Sequence, residues 1–432
     1  MLRKFPALVF LLVGVVPARA GDESAATESL RLVRLAMEAK LRAGDALLQA
    51  GDLPGALRSY EEAVVLFREA RGGRAEAQRP VVQDDVTDGD AVARALAWLA
   101  AHQDLDESGR WDCDGFAKHD PAGRKTDGAG GPHFDVGVTA LATLAFLGAG
   151  FTDRGEEKQN PYAQNVRMGL RFLMTAQDDE GCFGERASQH FIYNHALATV
   201  ALCDAYALTQ NPRYKKPAQD GINFLLMARN PYLGWRYGPR SGENDTSVTS
   251  LCIVATKAGE SASLESDPDA YGGAMAWIDK MTDRDSGQVG YVMQGGASAR
   301  LEGMQDRFPP EKTAAMTAAG ILTRLLCGEK AAGSESIRKG IALCGARPPN
   351  WNPQDGSIDL YYWYLGAMAL SRSGDPAWLG WRDALVAALE KGQRSDGSLD
   401  PIDAWGSQGG RVYATAIAAL CLQTARRGPR AG

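Results

Sequence analysis

The sequence lacks any run of lysine and arginine residues. It contains 432 residues with a formal net charge of -6 and a pI near 5.6. A nucleic-acid-binding protein needs a basic patch to neutralise phosphates. The charge balance therefore predicts no nucleic-acid partner.

Long hydrophobic runs are also missing after the first twenty residues, so no transmembrane segment is expected. At the start, Arg3 and Lys4 precede an apolar stretch over 5–17, and Ala18-Arg19-Ala20 follows it. This order is typical of a secretory signal peptide, and the apolar stretch is shorter than the ~20 residues that span a bilayer. We expect cleavage near Ala20 and export to the periplasm or the cell exterior.

Cysteine is scarce, with seven residues and no C-x-x-C pair. This count excludes a disulfide scaffold. Four cysteines fall in helical, Ala/Leu-rich stretches and are predicted to be small core residues: Cys203, Cys252, Cys327 and Cys421. Cys113 and Cys182 lie in predicted loops and are the better candidates for a disulfide or a metal.

The N-terminal part of the predicted mature chain, residues 21–72, has a helical pattern, and residues 73–89 have the composition of a linker. Within the helical part, small and aromatic residues resemble those of one tetratricopeptide hairpin, with a turn over 51–54: Gly44, Ala56, Tyr60 and Ala63. One such unit cannot bury its own apolar face. We expect it to dock on the next domain or on a partner protein.

From residue 90 onward the chain repeats one pattern. A helix with an aromatic–aliphatic pair, such as Trp98-Leu99, ends in glutamine in three repeats: Gln103, Gln177 and Gln393. A glycine turn follows, often with an aromatic residue, as in Gly181-Cys182-Phe183. The second helix is small and apolar nearly all round, and it starts near six positions: Asp135, Asn194, Asp245, Lys312, Asp359 and Arg411.

Helices that are apolar on every side must be buried on every side. Six of them alternating with amphipathic helices predict an inner ring enclosed by an outer ring. The fold class is therefore all-α, a six-hairpin α/α toroid over residues 90–427 preceded by a short helical hairpin. Its many turns account for the glycine excess, 49 residues in the chain.

The repeat resembles the terpenoid cyclase and protein prenyltransferase toroid superfamily, which includes the squalene–hopene cyclases. The helix–Gln–Gly–aromatic pattern is similar to the QW motif of those cyclases. The resemblance implies the toroid fold and two chemistries, alkene protonation by the central Asp of a D-x-D-D-T motif and thiol activation at zinc.

Neither chemistry matches the residues here. The stretch nearest the cyclase motif, 242–246, has Asn244 in place of the central acid, and Asp245 is expected to cap a helix. No histidine follows His195, so the downstream zinc ligand of the prenyltransferases is missing. The length also suffices for one toroid, whereas these cyclases place their substrate between two.

Candidate metal ligands lie in the first two hairpins. Thiolate and imidazole groups suit zinc, and five residues offer them: Cys113, His119, Cys182, His190 and His195. Their spacing matches no standard zinc pattern, so hydrogen bonding in loops is the alternative interpretation. No other cofactor is expected.

The long connections run from outer to inner helices, so the face at the inner-helix N-termini is the predicted binding face. Four carboxylates near it are candidate catalytic residues: Asp135, Glu243, Asp245 and Asp359. α/α barrels also serve glycosidases and polysaccharide lyases, and glycosidases use paired carboxylates. The aromatic residues 361–364, Trp405 and Tyr413 suit core packing, a sugar or an apolar cavity.

These observations predict an exported binding module that presents the toroid mouth to a protein or to an apolar, isoprenoid or carbohydrate ligand. The alternative is an enzyme at the mouth, either an isomerase of the cyclase type or a carbohydrate-active hydrolase or lyase. A deep apolar cavity lined by Trp363, Trp405 and Tyr413 would favour an isoprenoid or lipid ligand over a protein.

Overall fold

The computed structural model describes residues 90–427, except 106, 107, 124, 157 and 187–190, and scattered residues between 36 and 62. The chain divides into two compact units, Met1–Val81 and Val82–Gly432. The predicted signal peptide and linker lie outside the described residues.

In the first unit, the described residues between positions 36 and 47 and those between positions 54 and 62 are helical. Asp52 lies between them, and its carboxylate accepts a 3.0 Å hydrogen bond from the Gly55 amide. Lys40 and Glu62 form an ion pair between the two stretches. Three of the four residues that resemble a tetratricopeptide hairpin, Gly44, Tyr60 and Ala63, lie outside the described residues.

The described part of the second unit contains twelve α-helices and no β-strand. Six form an outer set: α1 (Ala91–Ala101), α3 (Ala163–Thr175), α5 (Pro212–Ala228), α7 (Pro268–Met281), α9 (Glu335–Gly345) and α11 (Ala377–Gly392). Six form an inner set: α2 (Asp135–Gly148), α4 (Phe191–Thr209), α6 (Thr246–Ser261), α8 (Ala315–Leu326), α10 (Leu360–Ser373) and α12 (Gly406–Arg426). Short 3₁₀ helices lie at Phe116–His119, Pro310–Lys312 and Ala331–Gly333.

Each inner helix packs against the inner helices before and after it, and α12 packs against α2. The inner ring is therefore closed, and the outer helices lie against its outside. The predicted toroid of six hairpins is confirmed. None of the described helices combines the length and hydropathy that crossing a membrane requires.

Three inner helices begin at residues other than those predicted. α4 is already helical at Phe191, three residues before Asn194. Lys312 ends the 3₁₀ turn Pro310–Lys312, and α8 starts three residues later at Ala315. α12 starts at Gly406 and has a kink at Gly410, where φ is 66°. Only glycine adopts this conformation without strain, so the regular part of α12 begins at the predicted Arg411.

The repeated glutamine joins successive hairpins. The Gln103 amide donates to the carbonyl of Gly109 in its own turn at 2.7 Å, and to that of Asn165 on α3 at 3.0 Å. Gln177 makes the same pair of bonds, to Gly181 and to Pro217 on α5. These bonds tie each turn to the next outer helix, and this role explains why glutamine recurs at this position.

A second contact recurs between each glycine turn and its inner helix. In four hairpins, a backbone amide one or two residues after the turn glycine donates to a threonine hydroxyl on the inner helix. The four bonds run from Trp111 to Thr139, from Trp235 to Thr249, from Val289 to Thr317 and from Leu399 to Thr415. In the second hairpin, the Phe183 amide donates to Nδ1 of His195 at 3.0 Å instead. His195 therefore takes the place of a threonine in the repeat.

Candidate ligand cavity

A cavity opens at the centre of the second unit, with an empty volume of about 1000 Å³ including its opening to solvent. All six inner helices contribute to its wall. The apolar part includes one side chain from each of five helices: Leu141, Leu197, Leu251, Met316 and Ile417. Aromatic side chains form much of the rest: Phe134, Tyr193, Tyr237, Tyr361, Tyr364, Trp405 and Tyr413.

The expected aromatic lining is found in part. Trp405 and Tyr413 line the cavity, but Trp363 does not. Trp363 is buried against Trp351, with ring centroids 6.2 Å apart. Residues one position apart on a helix point about 100° apart. Tyr361 and Tyr364 therefore face the cavity, and Trp363 packs away from it.

Asp245 lies behind the cavity wall as the N-cap of α6. Its Oδ1 accepts hydrogen bonds of 2.8 Å from the Val248 amide and from the Ser247 hydroxyl. The Ser247 hydroxyl in turn lies 2.6 Å from the hydroxyl of Tyr193, a cavity residue. Burial raises the pKa of Asp245 to about 6, although these hydrogen bonds act in the opposite direction. The network links a buried acid to a ring that faces the ligand space.

Asp359 caps α10 and pairs with an arginine. Its carboxylate accepts from the Tyr362 amide at 2.9 Å and lies 3.3 Å from the guanidinium of Arg300. Both side chains of the pair are almost fully buried, 1% and 2% exposed. Arg300 belongs to the connection 282–311, whose Ala299 and Leu301 line the cavity. The ion pair therefore holds a segment of the cavity wall.

Asp403 is a third buried carboxylate, which sequence reasoning did not select. Its Oδ2 accepts bonds of 3.2 Å from the Tyr413 hydroxyl and from the Leu360 amide, and its Oδ1 has no hydrogen-bond partner. Burial, and then the charge of Asp359, raise the pKa of Asp403 to about 7. Only the folded chain places it beside Asp359.

The other two predicted catalytic carboxylates lie elsewhere. Glu243 has an exposed side chain that pairs with Arg236 at 2.9 Å. Asp135 pairs with Arg110 at 2.9 Å, and burial raises its pKa to about 6. No predicted carboxylate is itself part of the described cavity wall.

Asp135 belongs to a cluster with Asp112 and Asp114, whose ligand-type oxygens lie within 4.8 Å of one another. Arg110 pairs with Asp112 and Asp135, and Lys118 lies 3.6 Å from Asp112. Arg110 and Lys118 neutralise much of the negative charge of these carboxylates, which a metal ion would need. The cluster is therefore an ion-pair network.

The described members of the predicted zinc set have separate partners. Cys113 donates its thiol proton to the carbonyl of Gly409 at 3.2 Å, and Nε2 of His119 lies 2.7 Å from Asp104. Both ring nitrogens of His195 are occupied, by the Phe183 amide and the Gly221 carbonyl. His190 lies outside the described residues, and no described group of three metal-binding side chains contains any of the other four.

The cysteines are free thiols, including the two disulfide candidates. Burial raises the pKa of the Cys182 thiol to about 12 and that of Cys113 further. A metal ligand must be a thiolate, so burial works against ligation at both. The described contacts leave the zinc hypothesis without a common ligand set.

The sequence matches no protein-family model, and no curated protein is similar to it. Solved structures do resemble the fold. An inactive variant of the GH76A α-1,6-mannanase of Salegentibacter sp. HEL1_6, in complex with α-1,6-mannotetrose, superposes with a TM-score of 0.51 at 13% identity, over 78% of this chain and 98% of that one. A GH76 α-mannanase of Bacteroides thetaiotaomicron gives 0.50 at 10% identity, over 78% and 95%.

Cellobiose 2-epimerase from Bacillus thermoamylovorans B4167 gives a TM-score of 0.50 at 14% identity, over 77% of this chain and 96% of that one. These neighbours are enzymes with α/α-toroid folds. At such low identity the similarity shows the shared fold alone, and the chemistry of this chain has to be argued from its own cavity.

Proposed function

We propose that the toroid binds an apolar ligand in its central cavity. The observation that carries this proposal is the composition of the wall, to which all six inner helices contribute apolar or aromatic side chains. Removing apolar surface from water favours binding by ~25 cal/mol per Å². A wall of this composition suits an apolar small molecule of the terpenoid or fatty-acyl class.

A carbohydrate is the alternative ligand, because the GH76A variant was solved with a mannose oligosaccharide. A glycosidase needs two carboxyl groups that flank the scissile bond, about 5–9.5 Å apart. No described residue of the cavity wall is Asp or Glu, and the polar wall residues are few: Asn194, Ser247 and Gln408. The wall therefore favours the apolar ligand.

Catalysis on a bound apolar substrate is the alternative function. Tyr361 is a residue of the cavity wall, and burial raises its pKa. Among the predicted catalytic residues, the charges of Asp245 and Asp359 raise this pKa further. Glu243 and Asp135 pair with arginines in other clusters. An isomerase or cyclase reaction on an apolar substrate would draw on the first two.

Calorimetric titration of the full chain tests the proposal. Farnesol, an apolar isoprenoid alcohol, should bind saturably at one site per chain, and α-1,6-mannotetrose should give no heat of binding. Absence of saturable binding by farnesol and other apolar probes, with or without binding of the oligosaccharide, would overturn the proposal.

We further propose that residues 1–20 direct export, that 21–72 form a tetratricopeptide-like partner-binding hairpin and that 73–89 link it to the toroid. The order of basic, apolar and small residues in the first segment supports export. Intact-mass measurement of protein from the periplasm or medium should give a chain beginning at Gly21. A full-length mass in the cell interior would contradict this.

A further inference from the structure

We propose that the ligand of the cavity carries a cationic ammonium group, which sits among five rings of the wall. This inference rests on the proposed function and narrows its ligand class to apolar amines. The rings are called the aromatic cage: Tyr193, Tyr237, Tyr361, Trp405 and Tyr413.

All five rings of the aromatic cage line the cavity, and four of them form two neighbouring pairs. The centroids of Tyr193 and Tyr237 are 6.5 Å apart, and those of Tyr361 and Trp405 are 6.3 Å apart. The face of an aromatic ring carries partial negative charge and attracts a cation within about 6 Å, most strongly for tryptophan and in a site shielded from water. Quaternary ammonium groups are the cations that such cages recognise.

Three buried carboxylates lie directly behind these rings. Asp403 accepts a hydrogen bond from Tyr413, and Asp245 reaches Tyr193 through Ser247. Burial, and then the charges of Asp245 and Asp359, raise the pKa of Tyr361 well above its ordinary value. The negative charges therefore act on the same rings that face the ligand.

The arginines near these carboxylates do not line the cavity. Arg300 pairs with Asp359, and Arg236 lies 3.9 Å from Asp245 and over the ring of Tyr237. Asp403 has no ion-pair partner among the described residues. No described Lys, Arg or His belongs to the cavity wall. A cation in the cavity would therefore meet ring faces and the charge of nearby carboxylates, although Arg236 already covers one face of Tyr237.

The apolar part of the wall decides what kind of cation fits. A small metal ion requires several oxygen ligands at 2.0–2.6 Å, and the wall presents no carboxylate oxygen among its described residues. An alkylated ammonium group needs no such ligands, and it places its attached hydrocarbon against residues such as Leu141 and Leu197. An anion of the same shape would be repelled.

Two probes of equal shape test the charge directly. Phenyltrimethylammonium and tert-butylbenzene differ in one atom, nitrogen against carbon, and so in charge. Calorimetric titration of the full chain at pH 8 should give a Kd about tenfold lower for the cation, and benzenesulfonate should not bind. Equal or weaker binding of the cation than of tert-butylbenzene overturns this inference but leaves the proposed function standing. Failure of tert-butylbenzene and farnesol to bind would overturn the proposed function.

Matched variants locate the effect. Trp405→Leu should remove most of the preference for the cation while tert-butylbenzene still binds. Tyr232→Leu removes an aromatic ring that is 89% exposed and outside the cavity wall, and it should leave the preference unchanged. A Trp405→Leu variant that keeps the full preference would overturn the assignment to the aromatic cage.

The pH dependence provides an independent readout. The groups that face Asp403 are Asp359, with its partner Arg300, and Tyr413. Asp403 is mostly protonated at pH 6 and mostly ionised at pH 8, because its pKa is about 7. Affinity for phenyltrimethylammonium should therefore rise several-fold from pH 6 to pH 8, with no rise for tert-butylbenzene. Asp245, whose pKa is about 6, also gains charge over this range, so in Asp403→Asn the rise should become smaller without vanishing. The same rise in both proteins would contradict the role of Asp403.

Discussion

The side chain of Gln393 donates a 2.8 Å hydrogen bond to the carbonyl of Ala91, which joins the end of the last outer helix to the start of the first. The same amide donates to Gly397 at 3.0 Å, and its oxygen accepts from Arg94 at 2.6 Å. Gln103 and Gln177 make equivalent bonds between successive hairpins. The bond from Gln393 therefore closes the outer ring, and it is made by the same residue type that joins the earlier hairpins.

Gln393→Leu should lower the free energy of unfolding by about 2–4 kcal/mol. The substitution removes three hydrogen bonds, two to carbonyl groups and one from the Arg94 guanidinium, each with a net value of about 0.5–1.5 kcal/mol. Urea denaturation followed by circular dichroism measures the change. Gln164→Leu, at an exposed position on α3, is the control and should change stability by less than about 0.5 kcal/mol. Equal effects of both substitutions would contradict the account of ring closure.

His195→Asn should reduce the loss of stability on acidification. Burial lowers the pKa of His195 to about 3, so between this value and about 6.5 the unfolded chain binds a proton that the folded chain does not. His195 therefore stabilises the fold above pH 6.5, and this contribution falls as the pH falls, by about 2 kcal/mol from pH 7 to pH 5. Asn keeps an acceptor for the Phe183 amide but does not titrate.

Urea denaturation at pH 7 and pH 5 should show a smaller loss of stability on acidification for His195→Asn than for wild type. The exposed control His133→Asn should lose as much stability as wild type. Zinc content, measured by mass spectrometry of the metal, should not differ between wild type and His195→Asn. A loss of stoichiometric zinc in the variant would restore the predicted zinc site.

Arg300→Met should loosen the segment that carries Ala299 and Leu301. It leaves Asp359 buried without its ion partner, at a cost of about 3–5 kcal/mol. It also removes the bond of 2.8 Å from the guanidinium to the Phe308 carbonyl. Hydrogen exchange should become faster over residues 297–308. Arg338→Met, at an exposed position of α9, should leave that exchange unchanged. Equal protection in wild type and Arg300→Met would show that the ion pair does not hold the segment.

The fold could be predicted because its signals are local in the sequence. An apolar pattern on all sides identifies an inner helix. The glutamine that recurs in three repeats bonds to the glycine carbonyl of its own turn and to the next outer helix. The role of His195 was harder to recognise, because four of the other hairpins carry a threonine at that position, at varying distances from the turn: Thr139, Thr249, Thr317 and Thr415. Comparison by position within each inner helix would have identified it.

The site was less predictable because it depends on which side of each helix faces the centre. The sequence selected Trp363, whose neighbours Tyr361 and Tyr364 instead line the cavity. Asp403 gains its altered pKa from burial and from Asp359, which is 44 positions earlier in the chain. Asp135 and Asp359 both stand at the start of an inner helix in the sequence. Only the fold shows that Asp135 belongs to an ion-pair cluster and that Asp359 lies behind the cavity wall.

The most direct test of the central claim is to fill the cavity. Leu197 lines it, so Leu197→Trp should occupy ligand space and raise the Kd for farnesol at least tenfold, as measured by calorimetry of the full chain. Leu379→Trp makes the same change at a side chain that is 50% exposed on α11 and should bind as wild type does. With both variants folded by circular dichroism, unchanged farnesol binding by Leu197→Trp would contradict the assignment of the cavity as the ligand site.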